Sequence, residues 1–176
     1  MKLNGKLMPK AIRSYVRAVD AVNLRVGRFA MYLIFAMMGI LLYSSISKTF
    51  FHPSLWTLEM AQFTMVAYYL LGGSYSMQLG SHVRMDLLYS SWSTKTRATA
   101  DAVTVLFLIF YLGVLLYGGF SSTQYALQYS ETSYSSWSPY MAPIKIVMTL
   151  GIFLMLLQAL AILFKDLAKI RGEDLS

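Results

Sequence analysis

Four apolar runs, each long enough to cross a lipid bilayer, leave this 176-residue chain almost no room for anything else. They cover roughly residues 29–47, 58–79, 102–124 and 144–164, and a membrane-spanning helix needs about 20 predominantly apolar residues. The composition agrees: 57% of residues are hydrophobic and only 13% charged, with a mean hydropathy of +0.53, whereas soluble domains carry about 25% charged residues. In hydrocarbon every backbone N–H and C=O must be satisfied within the span, so the runs fold as helices. The expected fold is therefore an all-α integral membrane protein with four transmembrane helices.

Charge sets the orientation. Lys2, Lys6, Lys10, Arg13, Arg17, Arg25 and Arg28 precede the first run. Arg84, Lys95 and Arg97 lie between the second and third, and Lys165, Lys169 and Arg171 follow the last. Lys48 and Lys145 alone fall on the opposite side, so thirteen of the fifteen basic residues share one side. The positive-inside rule makes that side cytoplasmic, with both termini inside. The net charge of +7 is thus directed at anionic lipid headgroups, with Arg13, Arg17, Arg25 and Arg28 as candidates, and not at nucleic acid. The first run is too long for a signal-peptide core and lacks an A-x-A-like cleavage site, so it is read as a retained span.

Three regions follow: a basic segment, 1–28, a four-helix domain, 29–165, and a cytoplasmic tail, 166–176. Within the first, residues 9–28 form an amphipathic pattern. Ile12, Tyr15, Val16, Val19, Val22 and Val26 share one arc at 100° per residue. Lys10, Arg13, Arg17, Asp20, Arg25 and Arg28 share the other, and Asn23 and Leu24 break the pattern. Such a helix suits the membrane interface, either as an anchor or as a docking arm.

The second run carries a polar and small-residue stripe: Glu59, Gln62, Val66, Tyr69, Gly73, Ser76 and Gly80, spaced three and four apart. Small residues admit close helix approach in lipid and polar ones hydrogen-bond across helices, so this face should meet protein. Gly113, Gly118 and Gly119 of the third run are its expected receivers. The outer connection after that run is rich in Tyr, Ser and Trp, suited to the headgroup layer. Pro143 is placed for the first turn of the last helix, and Lys145 for snorkelling to headgroups.

No chemistry assembles. There is no cysteine. His52 and His82 are separated by a helix about 33 Å long, at 1.5 Å per residue, and so face opposite sides of the bilayer. Glu59, Asp101 and Asp86 sit at the edges of spans and not at the midplane, where an autonomous ion-coupled transporter needs one. No catalytic, cofactor or metal site is therefore expected, and no enzyme. His82, Arg84 and Asp86 close the second run either as the polar dressing of a helix end or as a partner-facing ion pair.

The order of these features resembles the small membrane subunit (DctQ-like small permease) of tripartite ATP-independent periplasmic (TRAP) transporters. The similarity rests on Trp56-Thr57-Leu58-Glu59 opening the second run, "GSHVRMD" closing it, and "SSWSPYMAPIK" leading into the last. Many members carry two adjacent acids where this chain has Glu59 followed by Met60. The resemblance implies a scaffold role in sodium-coupled import of an organic acid across the bacterial cytoplasmic membrane. A large multi-span subunit would hold the substrate and sodium, and a periplasmic binding protein would deliver the substrate. It implies Glu59, Gln62, Tyr69, Gly73, Ser76, His82, Arg84 and Asp86 as subunit-interface candidates. Trp56, Trp137, Pro139 and Lys145 are the corresponding outer-surface or docking candidates. The alternative is a membrane anchor or assembly subunit of a redox or other complex with no transport role.

Overall fold

The computed structural model describes residues 10–80 and 94–170. Within them the chain forms four helices: α1 (Lys10–Phe50), α2 (Thr57–Gln78), α3 (Thr94–Gln128) and α4 (Ala142–Ile170). By length and apolarity three qualify as membrane spans: α1, residues 99–128 of α3, and residues 142–168 of α4. At 22 residues α2 is long enough, about 33 Å, but its Glu, Gln, Ser, Thr and Tyr content keeps it below that apolarity.

The expected interfacial helix and first span are one uninterrupted helix of 41 residues. No proline or glycine–proline signal separates Arg28 from Phe29, so the backbone ladder simply continues. At its far end Ser47 Oγ donates to the His52 carbonyl (2.7 Å), and Thr57 Oγ1 to Ser44 Oγ (3.0 Å), closing the turn into α2. Glu59 in the first turn of α2 suits the positive end of the helix dipole. Gly80, at φ +64°, accepts the left-handed conformation just beyond the α2 C-terminus.

The last helix sits in the middle. α4 packs on α3, α2 and α1, and α1 also packs along α2. α2 is antiparallel to α1: Thr57 lies beside Ser44, and Tyr75 beside Gly27. It runs parallel to α4, with Leu70 against Gly151 and Gly73 against Met155. α3 is antiparallel to α4, with Gly119 against Thr149 and Thr123 Oγ1 donating to the Lys145 carbonyl. The spatial order is thus α1, α2, α4, α3. This corrects the expectation that Gly113, Gly118 and Gly119 receive the α2 stripe. α4 lies between α3 and α2, touching the stripe at Gly73, and Gly113 and Gly118 face open space.

Two glycines set the helix spacing. A Cβ on Gly151 would lie 2.8 Å from Leu70 Cβ and 3.0 Å from its carbonyl carbon. One on Gly27 would lie 2.5 Å from Tyr75 Cβ and Cγ. Close helix approach through small residues is the main source of attraction where solvent and side chains are equally apolar. The interior is correspondingly slim, centred on Met77, Leu112, Ile152 and Ala159, while Phe29, Tyr32, Phe35, Phe107, Phe110 and Tyr117 point outward.

Candidate functional site

Buried polar side chains gather at the two ends of the bundle, and each group joins elements distant in sequence. The first group begins with Asp20 on α1. Lys165 Nζ donates to its Oδ2 (2.8 Å) and Gln158 Nε2 to its Oδ1 (3.1 Å). Asn23 Nδ2 then donates to Gln158 Oε1 (2.5 Å). An ionised carboxylate only accepts, so Asp20 orients both amides in turn. Gln158 and Asn23 are wholly buried, and Asn23 Oδ1 ends the relay without a partner.

This refines the reading of the N-terminal segment as two arcs broken at Asn23 and Leu24. Its apolar arc is laid on α4: Val16 and Val19 pack with Ala161, and Tyr15 meets Phe164 edge-on at 6.0 Å. Tyr15 also donates to the Leu157 carbonyl (3.1 Å). Val22, placed on that arc by periodicity, is exposed, whereas Asn23, the apparent exception, is inside. Asp20, assigned to the outward polar arc, joins α1 to α4. Arg17, Arg25 and Arg28 are exposed and Arg13 half-buried.

The second group, at the opposite end, centres on Glu59, which is 9% exposed. Ser133 Oγ, in the α3–α4 connection, donates to its Oε1 (2.9 Å), while Oε2 is buried without a partner. Two residues earlier Glu131 forms an ion pair with Lys145 on α4. The Lys145 ammonium is thus held by a carboxylate of its own chain. The connection is itself ordered by backbone bonds: Ser133 N–H to Pro139 carbonyl (3.0 Å) and Met141 N–H to Glu131 carbonyl (2.9 Å). Thr132 and Tyr140 form an antiparallel bridge. Ser130 and Ser138 adopt φ of 48° and 45° to turn it. Trp56 stacks on Tyr43 at 5.7 Å, and Trp137 is partly exposed.

Of the α2 stripe, Glu59 is buried, Gln62 and Tyr69 are exposed, and Gly73 and Ser76 are half-buried. The positions that α2 buries within the chain are instead Thr57, Glu59, Ala61, Leu71, Ser74 and Met77. Tyr69, Gly73 and Ser76 line an open groove of about 400 Å³ between α1 and α2, with Gly27, Met31 and Tyr68 among the other walls. His82, Arg84 and Asp86 lie outside the described residues. Asn23, Gln158, Lys165 and Glu131 are the functional candidates that sequence reasoning passed over. A lone glutamine in the apolar run 146–164 is the signal that marked the relay.

Among the described residues no three His, Asp or Glu side chains are placed to share a metal. The eight buried polar side chains among the described residues, including Ser44, Ser47, Thr57, Ser74 and Asp166, each engage another group of the chain. The arrangement binds helices to one another.

No curated protein matches the chain. The family model described as "Tripartite ATP-independent periplasmic transporters, DctQ component" matches residues 37–169, well over half of the length. That family is a transporter component and not an enzyme, and it works with a large permease subunit and a binding protein. The redox-anchor alternative is left without support. Apolar helices and family together make this a multi-pass membrane protein, and the chain belongs to the DctQ family as the small permease subunit of a TRAP transporter.

Proposed function

We propose that the chain is a fixed scaffold in a sodium-coupled importer of an organic acid, seated in the bacterial cytoplasmic membrane, with substrate and sodium held by the large subunit. Four helices cross the bilayer with both termini inside. The support for counting α2 is its packing: it lies between α1 and α4, antiparallel to one and parallel to the other, from Thr57 to Tyr75. Segment 1–28 serves as a basic arm, 29–165 as the membrane domain and 166–176 as the tail. Arg13, Arg17, Arg25 and Arg28 meet headgroup phosphates.

The observation that carries the scaffold role is that Asn23, Gln158, Ser44, Thr57 and Glu59, all buried, are spent on bonds between elements of the bundle. The large subunit is seated on the α1–α2 groove, with Gln62, Tyr69, Gly73 and Ser76 facing it, and His82, Arg84 and Asp86 are further candidates for contact with it. Small residues there allow close approach of a partner helix. The outer end, including Trp56, Trp137 and Pro139, receives the binding protein; Glu59 and Lys145 hold that end together.

Gly72 lines the groove, and a Cβ there meets nothing within 4 Å. Gly72→Leu therefore blocks the groove without disturbing the bundle. Tagged wild-type chain should co-purify a multi-span protein from its native membrane, and Gly72→Leu should lose it while inserting normally. Undiminished co-purification would place the interface elsewhere.

A further inference from the structure

We infer that the α3–α4 connection is a preformed, charge-silent docking face of Tyr, Trp and Ser side chains, recognising a neutral folded protein surface. The inference rests on the docking reading above and names the residues and the chemistry that reading requires. The connection leaves α3 and returns into α4, yet it is tied by Ser133 to Glu59 on α2 (2.9 Å), on the far side of α4 from α3. It therefore lies across the end of the bundle and not beside it. A segment across the end of a transmembrane bundle faces the aqueous side; one splayed outward would face lipid. Tyr125 and Tyr129, paired at 4.7 Å where α3 ends, already supply a headgroup-level aromatic pair.

The chemistry of the face is that of a binding loop. Residues 133–140 read SYSSWSPY. Tyr and Trp offer large contact area for little lost side-chain entropy, and Ser adapts its hydrogen bonds to the partner. Tyr134 is fully exposed, Tyr140 is 65% exposed and Trp137 39%. The backbone beneath them is fixed by the Ser133–Pro139 and Met141–Glu131 bonds and the turn at Ser138, where N–H and Oγ both donate to the Ser135 carbonyl. A loop already ordered spends little affinity on ordering. Its one acid, Glu131, is neutralised by Lys145 of the same chain. Recognition is then by shape, aromatic contact and hydroxyls, without long-range steering. Glu59, Glu131 and Lys145 are positioning residues beneath the face, not contacts.

The test measures binding of the transporter's own binding protein to the two-subunit membrane complex in nanodiscs. Tyr134→Ala and Trp137→Ala should each weaken binding about tenfold or more, as buried aromatic anchors do, with the two membrane subunits still co-purifying. Raising salt from about 50 to about 500 mM should change wild-type affinity less than about threefold, since no exposed charge pair is involved. Glu131→Gln should weaken binding, and the swap Glu131→Lys with Lys145→Glu should restore it, which a direct-contact role for either charge would not allow. Full affinity in both aromatic variants, or a steep salt dependence, overturns the inference. Equal binding to large subunit with and without this chain overturns the docking reading itself. Quenching of Trp137 fluorescence by headgroup-level brominated lipid, with Trp56 and Trp92 replaced by Phe, would instead assign the face to the membrane.

Discussion

A methyl group at Gly151 should separate α2 from α4, and one at Gly118 should not. At Gly151 the added Cβ meets Leu70 Cβ at 2.8 Å, its carbonyl carbon at 3.0 Å and its oxygen at 3.1 Å. Carbon atoms rest at about 3.5–4.0 Å, so the two helices must part by roughly half an ångström or more. Backbone atoms, unlike side-chain tips, cannot turn away. Inserting a methyl into such a contact costs about 1–3 kcal/mol, against a gain of about 1 kcal/mol from replacing a helical glycine by alanine. Gly151→Ala should therefore be neutral to destabilising by about 2 kcal/mol. Gly118→Ala, with nothing within 4 Å, keeps the propensity gain alone. Thermal unfolding of the two variants in the same detergent, followed by near-ultraviolet circular dichroism, isolates the steric term because propensity cancels. Equal melting temperatures would refute the close α2–α4 contact and with it the central position of α4.

Asn23→Leu and Gln158→Leu should each destabilise the chain by about 1 kcal/mol, near the 0.6–1.7 kcal/mol found for hydrogen bonds between membrane helices. The double variant should cost less than their sum, measured by denaturant titration; strict additivity would separate the two amides. The chain has no cysteine, so single substitutions report sidedness without background. Ser14→Cys and Thr99→Cys should react with a membrane-impermeant maleimide only from inside, Ser54→Cys and Ser136→Cys only from outside. Labelling of Ser54 and Thr99 from the same side would remove α2 as a span. Glu59→Ala should free the α3–α4 connection, raising protease cleavage within residues 129–141 several-fold, whereas Glu59→Gln, which still accepts from Ser133, should not.

The apolar runs were readable because hydrocarbon imposes length and backbone satisfaction on any span, and those demands appear residue by residue. The order of the helices in space was not. α4 is apolar on nearly every side, so its sequence does not say that three neighbours surround it. The α2 stripe was visible as a pattern, yet periodicity fixes which residues share a face without fixing what that face meets. Within the chain α2 turned Ala61, Leu71 and Ser74 inward and left Gln62 and Tyr69 out.

The continuity of α1 was hidden for a different reason. Arg25 and Arg28 end the run of basic residues, and a change of composition is easily mistaken for a change of element. Asn23 interrupted an apolar arc and Gln158 an apolar run, and either alone passes for noise. Only the fold brings them to 2.5 Å. Glu131 was lost among serines and tyrosines, although Lys145, fourteen positions on, needed a counter-charge.

A scaffold subunit supports transport without performing it. Proteoliposomes carrying a sodium gradient and the binding protein test it most directly, with uptake of a radiolabelled organic acid followed for this chain alone, the large subunit alone and both together. Uptake is expected only with both subunits, and none above empty vesicles for this chain. Sodium-driven uptake by this chain alone, or full uptake by the large subunit without it, would rule out a scaffold role.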